Sequence, residues 1–237
     1  MAEKDVRVKT GINGFDELIG GGIPDGNIVL LSGAAGTGKS IFAFEFIYHG
    51  AKKFNDNGVY ITLEEFPERF IANAKKLGFS DLDDFLAQKK MTIVKTEIFD
   101  IYKLVSTIED LIDQYKAKRL VLDSLSVLSA FSDKPFIVRK AILDLASMLR
   151  RQNVTAIFPS GVSTISDGHF GVSVEEYVVD GVISMFHQMA GTQFIRAINI
   201  VKMRGTAHTE NLHPLIIKEG GITVVKSSIF PENFTVG

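Results

Sequence analysis

The stretch that decides the fold is Ile28-Val-Leu-Leu-Ser-Gly-Ala-Ala-Gly-Thr-Gly-Lys-Ser40, an apolar run that ends in a glycine-rich turn. Residues 33–40 match the pattern G-x-x-x-x-G-K-[ST], which is credible where a strand precedes it and a helix follows it. Glycines let the backbone wrap around a phosphate with its N–H groups pointing inward, and the helix N-terminus adds favourable partial charge. The stretch therefore predicts a phosphate-binding loop at a strand-to-helix junction.

On the C-terminal side of this loop, apolar runs and helical patterns alternate, which is typical of βα units around a parallel sheet. Strands are predicted at 28–32, 59–63, 91–94, 120–123 and 154–159, and helices at 40–53, 67–77, 101–116 and 135–151. After residue 161 extended segments replace helices, at 178–187, 193–203, 214–217 and 222–226. We predict an α/β fold whose mostly parallel, twisted sheet has helices on both faces and an antiparallel C-terminal β edge, with a long loop at 161–176.

Length and composition limit the class of protein. The 237 residues suit one α/β domain, 1–237, and 46% apolar with 23% charged residues is a globular composition. No apolar run is long enough to span a membrane and the N-terminus has no secretory signal, so we expect a cytoplasmic protein with no membrane partner. Cysteine is absent, which excludes disulfides and thiolate chemistry, and a net charge of −2 gives no global attraction to nucleic acid.

The loop and the strand at 119–123 supply the groups expected around a nucleoside triphosphate. Lys39 is expected to reach the β and γ phosphates, and the Ser40 hydroxyl to ligate Mg²⁺. Asp123 ends an apolar strand, where a carboxylate can orient the hydrated metal; the alternative is a helix-capping aspartate. The nucleotide-binding set predicted here is Gly33, Ala34, Ala35, Gly36, Thr37, Gly38, Lys39, Ser40 and Ile41.

Two adjacent carboxylates, Glu64 and Glu65, follow the predicted strand at 59–63. Hydrolysis needs a group that orients water in line with the γ-phosphate, and a carboxylate near the metal can do this. The alternative is that both glutamates favour the N-terminus of a helix beginning at Pro67. We predict that the pair is catalytic together with Lys39, and the sequence does not distinguish which glutamate orients the water.

Several further segments, taken with the phosphate loop, resemble one known family. They are Gly14-Phe-Asp-Glu17, Gly20-Gly-Gly-Ile-Pro24, Thr62-Leu-Glu-Glu65, Leu122-Asp-Ser-Leu-Ser126 and Lys202-Met-Arg-Gly-Thr206. Together they resemble a single KaiC-type ATPase domain of the RecA superfamily over about residues 8–226. The resemblance implies a RecA-type core, binding of ATP and its product ADP with Mg²⁺, Glu64 and Glu65 as catalytic carboxylates, and a ring, usually hexameric, with ATP between subunits.

The resemblance also implies that Lys202 and Arg204 reach the phosphates of the neighbouring subunit, with Met203, Thr206 and His208 at positions that contact its nucleotide. Cations supplied in trans can stabilise charge on the transferring phosphoryl group, and alternate residues of a strand share one face. The alternatives are a solvated basic face on an edge strand and, for His208, a structural role.

The chain departs from KaiC in two respects. KaiC has two such domains in tandem, and its phosphorylated Ser-Thr pair falls here on Glu176-Tyr177, so phosphorylation at that position is doubtful. Other hydroxyls nearby, Ser173 and Thr164, keep autokinase activity open.

Three functions remain open at this stage. The favoured one is a slow ATPase that forms a ring or stacked rings, switches its subunit contacts and has an unknown protein partner. The others are a RadA-like recombinase paralogue that binds single-stranded DNA, and a signalling or assembly scaffold with weak turnover. The loop at 161–176 has no Lys or Arg and contains Asp167, Glu175 and Glu176, which disfavours a polyanion; His169 and Phe170 could stack on a base.

Overall fold

A computed structural model describes residues 6–96, 101–130, 135–161, 165–166, 169–170, 174–227 and 230. The strands are β1 (Arg7–Val8), β2 (Ile23–Pro24), β3 (Ile28–Gly33), β4 (Gly58–Thr62), β5 (Met91–Lys95), β6 (Arg119–Asp123), β7 (Thr155–Ser160), β8 (Ile165–Ser166), β9 (His169–Phe170), β10 (Gly181–Ala190), β11 (Gln193–Met203), β12 (His213–Lys218) and β13 (Gly221–Val224). The α-helices are α1 (Lys39–His49), α2 (Pro67–Lys76), α3 (Leu82–Ala87), α4 (Ile101–Tyr115), α5 (Val127–Ala130), α6 (Pro135–Arg151) and α7 (Val174–Val178).

Nine of these strands form one sheet in the order β13-β12-β11-β10-β3-β7-β6-β4-β5. The six strands from β10 to β5 pair in parallel, whereas β10 to β13 pair with one another in antiparallel fashion. The predicted fold class, with its mostly parallel core and antiparallel C-terminal edge, is therefore confirmed. One detail differs, since β10 also pairs in parallel with β3 and so joins the edge to the core.

Helices cover both faces of the sheet because side chains of a buried strand alternate between them. Along β3, Val29 and Leu31 join one apolar cluster with α1, α2 and α3, and Ile28 and Leu30 join another with α4 and α6. A strand buried on both faces has to be apolar throughout, which explains the uninterrupted run before the glycine-rich loop.

The elements absent from the sequence predictions are short. They include α3, α5, α7, the β1–β2 pair and the β8–β9 pair. Helices of four to six residues show too little periodicity to be recognised, and α7 corrects the expectation of a helix-free C-terminal third. The β8–β9 pair and α7 also lie in the predicted loop at 161–176, whose other residues are largely outside the described ranges.

The helix predicted at 40–53 ends as an α-helix at His49 and continues as a π-turn, Gly50–Phe54. The change occurs where the Arg119 side chain packs against Gly50, at which a Cβ would lie 2.5 Å from Arg119 Cδ. Arg119 Nη1 also donates to the carbonyl oxygen of Phe46, at 3.0 Å. A glycine is required at position 50 because the Arg119 side chain occupies the space that a Cβ atom would need.

The β12–β13 hairpin is joined to α1 by a buried carboxylate. Glu45 is 1% exposed, and its Oε1 accepts the backbone N–H of Ile222 at 2.6 Å. Gly221 has a φ of +105°, and a Cβ there would lie 2.4 Å from Glu45 Oε1. This contact fixes the antiparallel edge over the helix that follows the phosphate-binding loop.

None of the helices in the described ranges combines the length and the apolar character that crossing a bilayer requires.

Replacing Arg119 by Met is expected to lower the free energy of unfolding by about 3 kcal/mol, because it leaves a buried set of acceptors without their donor. Arg119 is 1% exposed and donates to Asp56 Oδ2 at 2.7 and 3.0 Å. Denaturant unfolding measures the change. The control Lys140→Met removes an exposed i,i+4 pair with Asp144 and should cost less than about 0.5 kcal/mol. A loss below about 1 kcal/mol for Arg119→Met would contradict the expectation.

Candidate active site

The glycine-rich loop between β3 and α1 is shaped by the strands beside it. A Cβ on Gly33 would lie 2.4 Å from the carbonyl oxygen of Met185, on β10. Gly38 has a φ of +105°, and a Cβ there would lie 2.5 Å from the Cδ1 atom of Ile217, on β12. The loop therefore requires glycine at both positions, for reasons of space at Gly33 and of space and backbone conformation at Gly38.

The Lys39 ammonium lies over the loop. Its Nζ donates to the carbonyl oxygens of Gly33 at 2.7 Å and Ala34 at 2.8 Å, and Thr37 Oγ1 also donates to the Ala34 oxygen. Burial lowers the Lys39 pKa, and the nearby charge of Asp123 opposes that shift. The ammonium is thus partly desolvated and bound to neutral acceptors, which a phosphate oxygen could replace with a charged one.

The outer side of the loop opens to solvent beside β11 and β12. Ala34, Ala35, Gly36 and Ser40 are exposed, and Ile41 is half-buried. A cavity of about 560 Å³ lies here, and it is lined by loop residues together with Arg196 and Ile217. This cavity is large enough and polar enough for a phosphate chain.

Arg196 is a functional candidate that the sequence analysis missed. Its Nε donates to the carbonyl oxygen of Gly36 at 3.1 Å, so a guanidinium from β11 reaches the phosphate loop. His187 on β10 also lies beside Gly36, and burial together with the Arg196 charge lowers the His187 pKa. An isolated arginine within the otherwise uncharged run at 194–201 was the available signal.

Tyr60 joins the two predicted metal-side residues. Its hydroxyl donates to Asp123 Oδ2 at 2.5 Å and also hydrogen-bonds to the Ser40 side chain. Burial, and next the charge of Asp123, raise the Tyr60 pKa well above its ordinary value. A tyrosine within a buried strand needs a hydrogen-bond partner, and that requirement was the signal for this residue.

Glu64 and Glu65 follow β4, next to the end of β6 that carries Asp123. Glu64 is exposed, whereas Glu65 is half-buried and lines an apolar cavity of about 240 Å³ together with Ser40. The Thr62 hydroxyl fixes the Glu65 backbone, accepting its N–H at 3.0 Å and donating to its carbonyl oxygen at 3.0 Å. Glu65 Oε1 also lies 3.4 Å from Arg69 Nε. Of the two glutamates, Glu65 is the one that shares a cavity with Ser40 and has its backbone bonded to the Thr62 hydroxyl.

The oxygen ligands at this end of the sheet suit Mg²⁺. In the described part of the chain no group of three or more His, Cys, Asp and Glu side chains could hold a metal ion by itself. Mg²⁺ commonly takes one or two protein oxygens and completes its shell with phosphates and water. The Ser40 hydroxyl and Asp123 carboxylate, both bonded to Tyr60, match that pattern.

Lys202 and Arg204 lie at the opposite end of β3 from their own phosphate loop. Lys202 is paired with Val182, which is next to Leu30, and the Arg204 N–H donates to the carbonyl oxygen of Asp180. Ile28 is five residue steps from Gly33, about 16 Å of strand, and Leu30 is three steps from it, about 10 Å. Both side chains bind acceptors at residues 176–180, away from the phosphates of their own loop.

The other residues predicted around Lys202 have partners within the chain. The Met203 side chain is buried against Gly181, and its carbonyl oxygen accepts the N–H of Thr206 at 3.2 Å. The Thr206 hydroxyl accepts from Arg7 Nη1 at 3.0 Å, and His208 Nδ1 donates to the Thr209 carbonyl oxygen at 2.9 Å. These contacts favour a local structural role for Thr206 and His208 in the isolated chain.

The positions considered for phosphorylation and DNA binding are only partly described. Thr164, Asp167 and Ser173 lie outside the described residues. Glu176 is half-buried, its carbonyl oxygen accepts from Lys202 Nζ at 3.0 Å, and Tyr177 is exposed. The autokinase and recombinase hypotheses remain predictions.

Comparison with known families matches residues 8–229 to the family described as ATPase: KaiC. The chain belongs to the KaiC-like ATPase family. The resemblance predicted from the motifs is thereby confirmed, and the geometry above is that of a KaiC-like, RecA-type ATPase domain.

Relatives of similar length extend this result. The chain is 35% identical to a UPF0273 protein of Thermotoga maritima, over 93% of this chain and 96% of that one. A crystal structure of a KaiC-like protein from the archaeon Pyrococcus horikoshii superimposes with a TM-score of 0.83 at 34% identity, covering 93% of this chain and 99% of that one. At this identity and coverage the likeness extends to the family as well as the fold.

Longer relatives are matched over part of their length. The chain is 33% identical to the circadian clock oscillator protein KaiC of Parathermosynechococcus lividus, over 91% of this chain and 42% of that protein. It thus spans less than half of the KaiC proteins that it matches.

Tyr60 is expected to stay protonated in the folded protein well above pH 10, because its pKa is raised. Since the unfolded state ionises first, Tyr60 should stabilise the fold below about pH 10 and lose that contribution as the pH rises further. Absorbance of tyrosinate during alkaline titration measures the effect. The protein has five tyrosines. In Tyr60→Phe, the absorbance change that accompanies unfolding at high pH should decrease by the contribution of one tyrosine. An unchanged absorbance change would contradict the assignment.

Proposed function

We propose that this KaiC-like chain is a Mg²⁺-dependent ATPase, converting ATP and water to ADP and phosphate, in a single domain over residues 1–237. The observation that carries the proposal is the arrangement at one end of the sheet. There the phosphate loop, Lys39, the Ser40–Tyr60–Asp123 chain and Glu65 meet around adjoining cavities. Positioned charges of this kind are what phosphoryl transfer needs from a protein.

In this proposal Lys39 exchanges its two carbonyl partners for oxygens of the β and γ phosphates. That exchange gives Lys39 charge-assisted hydrogen bonds, and the backbone N–H groups of the loop hold the phosphate chain. Arg196, already bound to the Gly36 carbonyl oxygen, adds a second positive charge at the outer side of the loop. Bound Mg²⁺, held by Ser40 and Asp123, would supply charge neutralisation of the phosphates.

We assign the water-orienting role to Glu65 rather than Glu64. Glu65 shares a cavity with Ser40, and its backbone is fixed by Thr62, whereas Glu64 is exposed. A fixed carboxylate can accept a hydrogen bond from the attacking water and hold it in line with the γ-phosphate.

We further propose that Lys202 and Arg204 act in trans, in a ring that is hexameric as in the family resemblance. Support comes from their backbone positions, about 10 Å (Lys202) and about 16 Å (Arg204) along β3 from their own loop, and from their side chains, which bind acceptors at residues 176–180 instead. A head-to-tail ring brings one end of each subunit against the opposite end of the next. Loss of the γ-phosphate would then release these contacts and change the subunit interface, which is the basis of a switch.

Glu65→Gln is expected to lower the turnover number about a hundredfold, because the amide is a poor acceptor for the attacking water. Binding of Mg·ATP should stay within about twofold, since the phosphate loop is unchanged. Phosphate release measures turnover and calorimetry measures binding. The matched variant Glu64→Gln changes the adjacent carboxylate, and equal losses for the two variants would contradict the assignment of Glu65.

Lys39→Ala should lose most of its affinity for Mg·ATP, and Arg204→Met should keep its affinity but lose about a hundredfold in turnover. Mixing these two inactive proteins is the test of action in trans. Random 1:1 assembly pairs an intact loop with intact cations at about a quarter of ring interfaces, so turnover should reappear.

Mass measurement of the mixture, with and without Mg·ATP, shows whether the subunits assemble. A mixture that assembles yet stays inactive would contradict action in trans, and a monomer under all conditions would exclude it.

A further inference from the structure

Asp180 lies where the strand of the phosphate loop meets the segment that carries the two distant cations. Its N–H donates to the carbonyl oxygen of Ile28 at 2.9 Å, and the Ile28 N–H donates to Asp180 Oδ2 at 3.1 Å. The carbonyl oxygen of Asp180 accepts the N–H of Arg204 at 2.9 Å. One residue thus binds both the first residue of β3 and the end of β11.

The Asp180 carboxylate is shared by two arginines. It is 6% exposed, and Arg150 Nη2 donates to Oδ1 and Oδ2, both at 2.9 Å. Arg204 Nη1 donates to Oδ1 at the longer distance of 3.3 Å, and its side chain is 55% exposed. Arg150 therefore makes the closer contacts with the buried charge, while Arg204 is held loosely and faces solvent.

The backbone just before Asp180 supports the same two cations. Lys202 Nζ donates to the carbonyl oxygens of Val179 at 2.7 Å and Glu176 at 3.0 Å. Arg204 Nη2 donates to the Tyr177 carbonyl oxygen at 3.5 Å. Residues 176–180 thus form a platform of acceptors beneath Lys202 and Arg204.

We propose that Asp180 is a positioning residue that holds the Arg204 side chain in the direction needed to meet a triphosphate. The inference rests on the proposed trans role of these cations. A side chain already restricted in direction loses less freedom when it binds phosphate. Because Arg150 continues to compensate the buried carboxylate, Arg204 can turn from Asp180 to the phosphate without leaving that charge unpaired.

The test is Asp180→Asn, which keeps the shape of the side chain and removes the charge that attracts Arg204. We expect the turnover number to fall about tenfold while affinity for Mg·ATP and the mass of the assembly are unchanged. In an Arg204→Met background the same substitution should have no further effect on turnover. Any loss of stability caused by Asp180→Asn should be the same in both backgrounds. A loss of turnover that requires Arg204 therefore indicates positioning and not a purely structural role.

Asp56→Asn is the matched control, because it also removes a carboxylate from an ion pair with a buried arginine, Arg119, outside the site. It should lower the thermal midpoint but leave turnover within about twofold at temperatures well below that midpoint. If Asp180→Asn does not fold, Arg150→Met is the substitute, expected to reduce turnover about threefold because the carboxylate then retains Arg204 more strongly.

Two results would overturn this inference but leave the trans role intact. In the first, Asp180→Asn has the turnover of the wild type although Arg204→Met is slow. In the second, Asp180→Asn lowers turnover by the same factor in the wild-type and Arg204→Met backgrounds. If Asp180→Asn cannot be purified folded, full turnover of Arg150→Met would do the same. Wild-type turnover of Arg204→Met would instead overturn the trans role itself, and this inference with it.

Discussion

Pairing of β3 on both sides, with β7 and with β10, is the constraint on which the site depends. It fixes the point at which the chain leaves the sheet, and the neighbouring strands then decide which residues the loop can contain. Gly33 lies against the Met185 carbonyl oxygen, and Gly38 lies against Ile217. The loop is therefore shaped by strands that follow it by about 150 residues or more in the sequence, as well as by its own glycines. Its motif is local, whereas its conformation is a property of the whole sheet.

The chemistry of the molecule is divided between the two ends of the same strands. Carboxylates, hydroxyls and the Lys39 ammonium gather at the carboxyl ends of β3, β4 and β6, where parallel strands direct ligand-binding groups. The pair Lys202 and Arg204 lies at the other end, on a platform of backbone acceptors. In the ring that we propose, a complete site would combine the phosphate-loop end of one subunit with the Lys202 and Arg204 end of its neighbour. A folded subunit on its own would then carry only one half of each of two sites. A subunit could therefore be stable and still lack a complete site.

The sequence predicted the parallel core to within one residue at most strand ends, because buried strands are uninterrupted apolar runs bounded by polar turns. It also predicted the beginning of α2 at Pro67, where the fixed φ of proline suits the first helical turn. It did not predict α3, α5 or α7, which are too short to show a helical period. Nor did it predict Tyr60, Arg196 or Asp180 as parts of a site. Each of these residues binds a group that is far away in the sequence, and the order of strands in a sheet is not written in any local pattern.

The hydrogen bond between Glu45 and Ile222 joins residues 177 positions apart, and it affects how the protein is made. On the ribosome α1 is synthesised first, and the backbone N–H that pairs with its buried carboxylate is added 177 residues later. Until then the Glu45 carboxylate lacks this donor, and burying it without the donor would cost free energy. β3 likewise pairs with β10, so the contact between Gly33 and the Met185 carbonyl oxygen can form only after β10 has been synthesised.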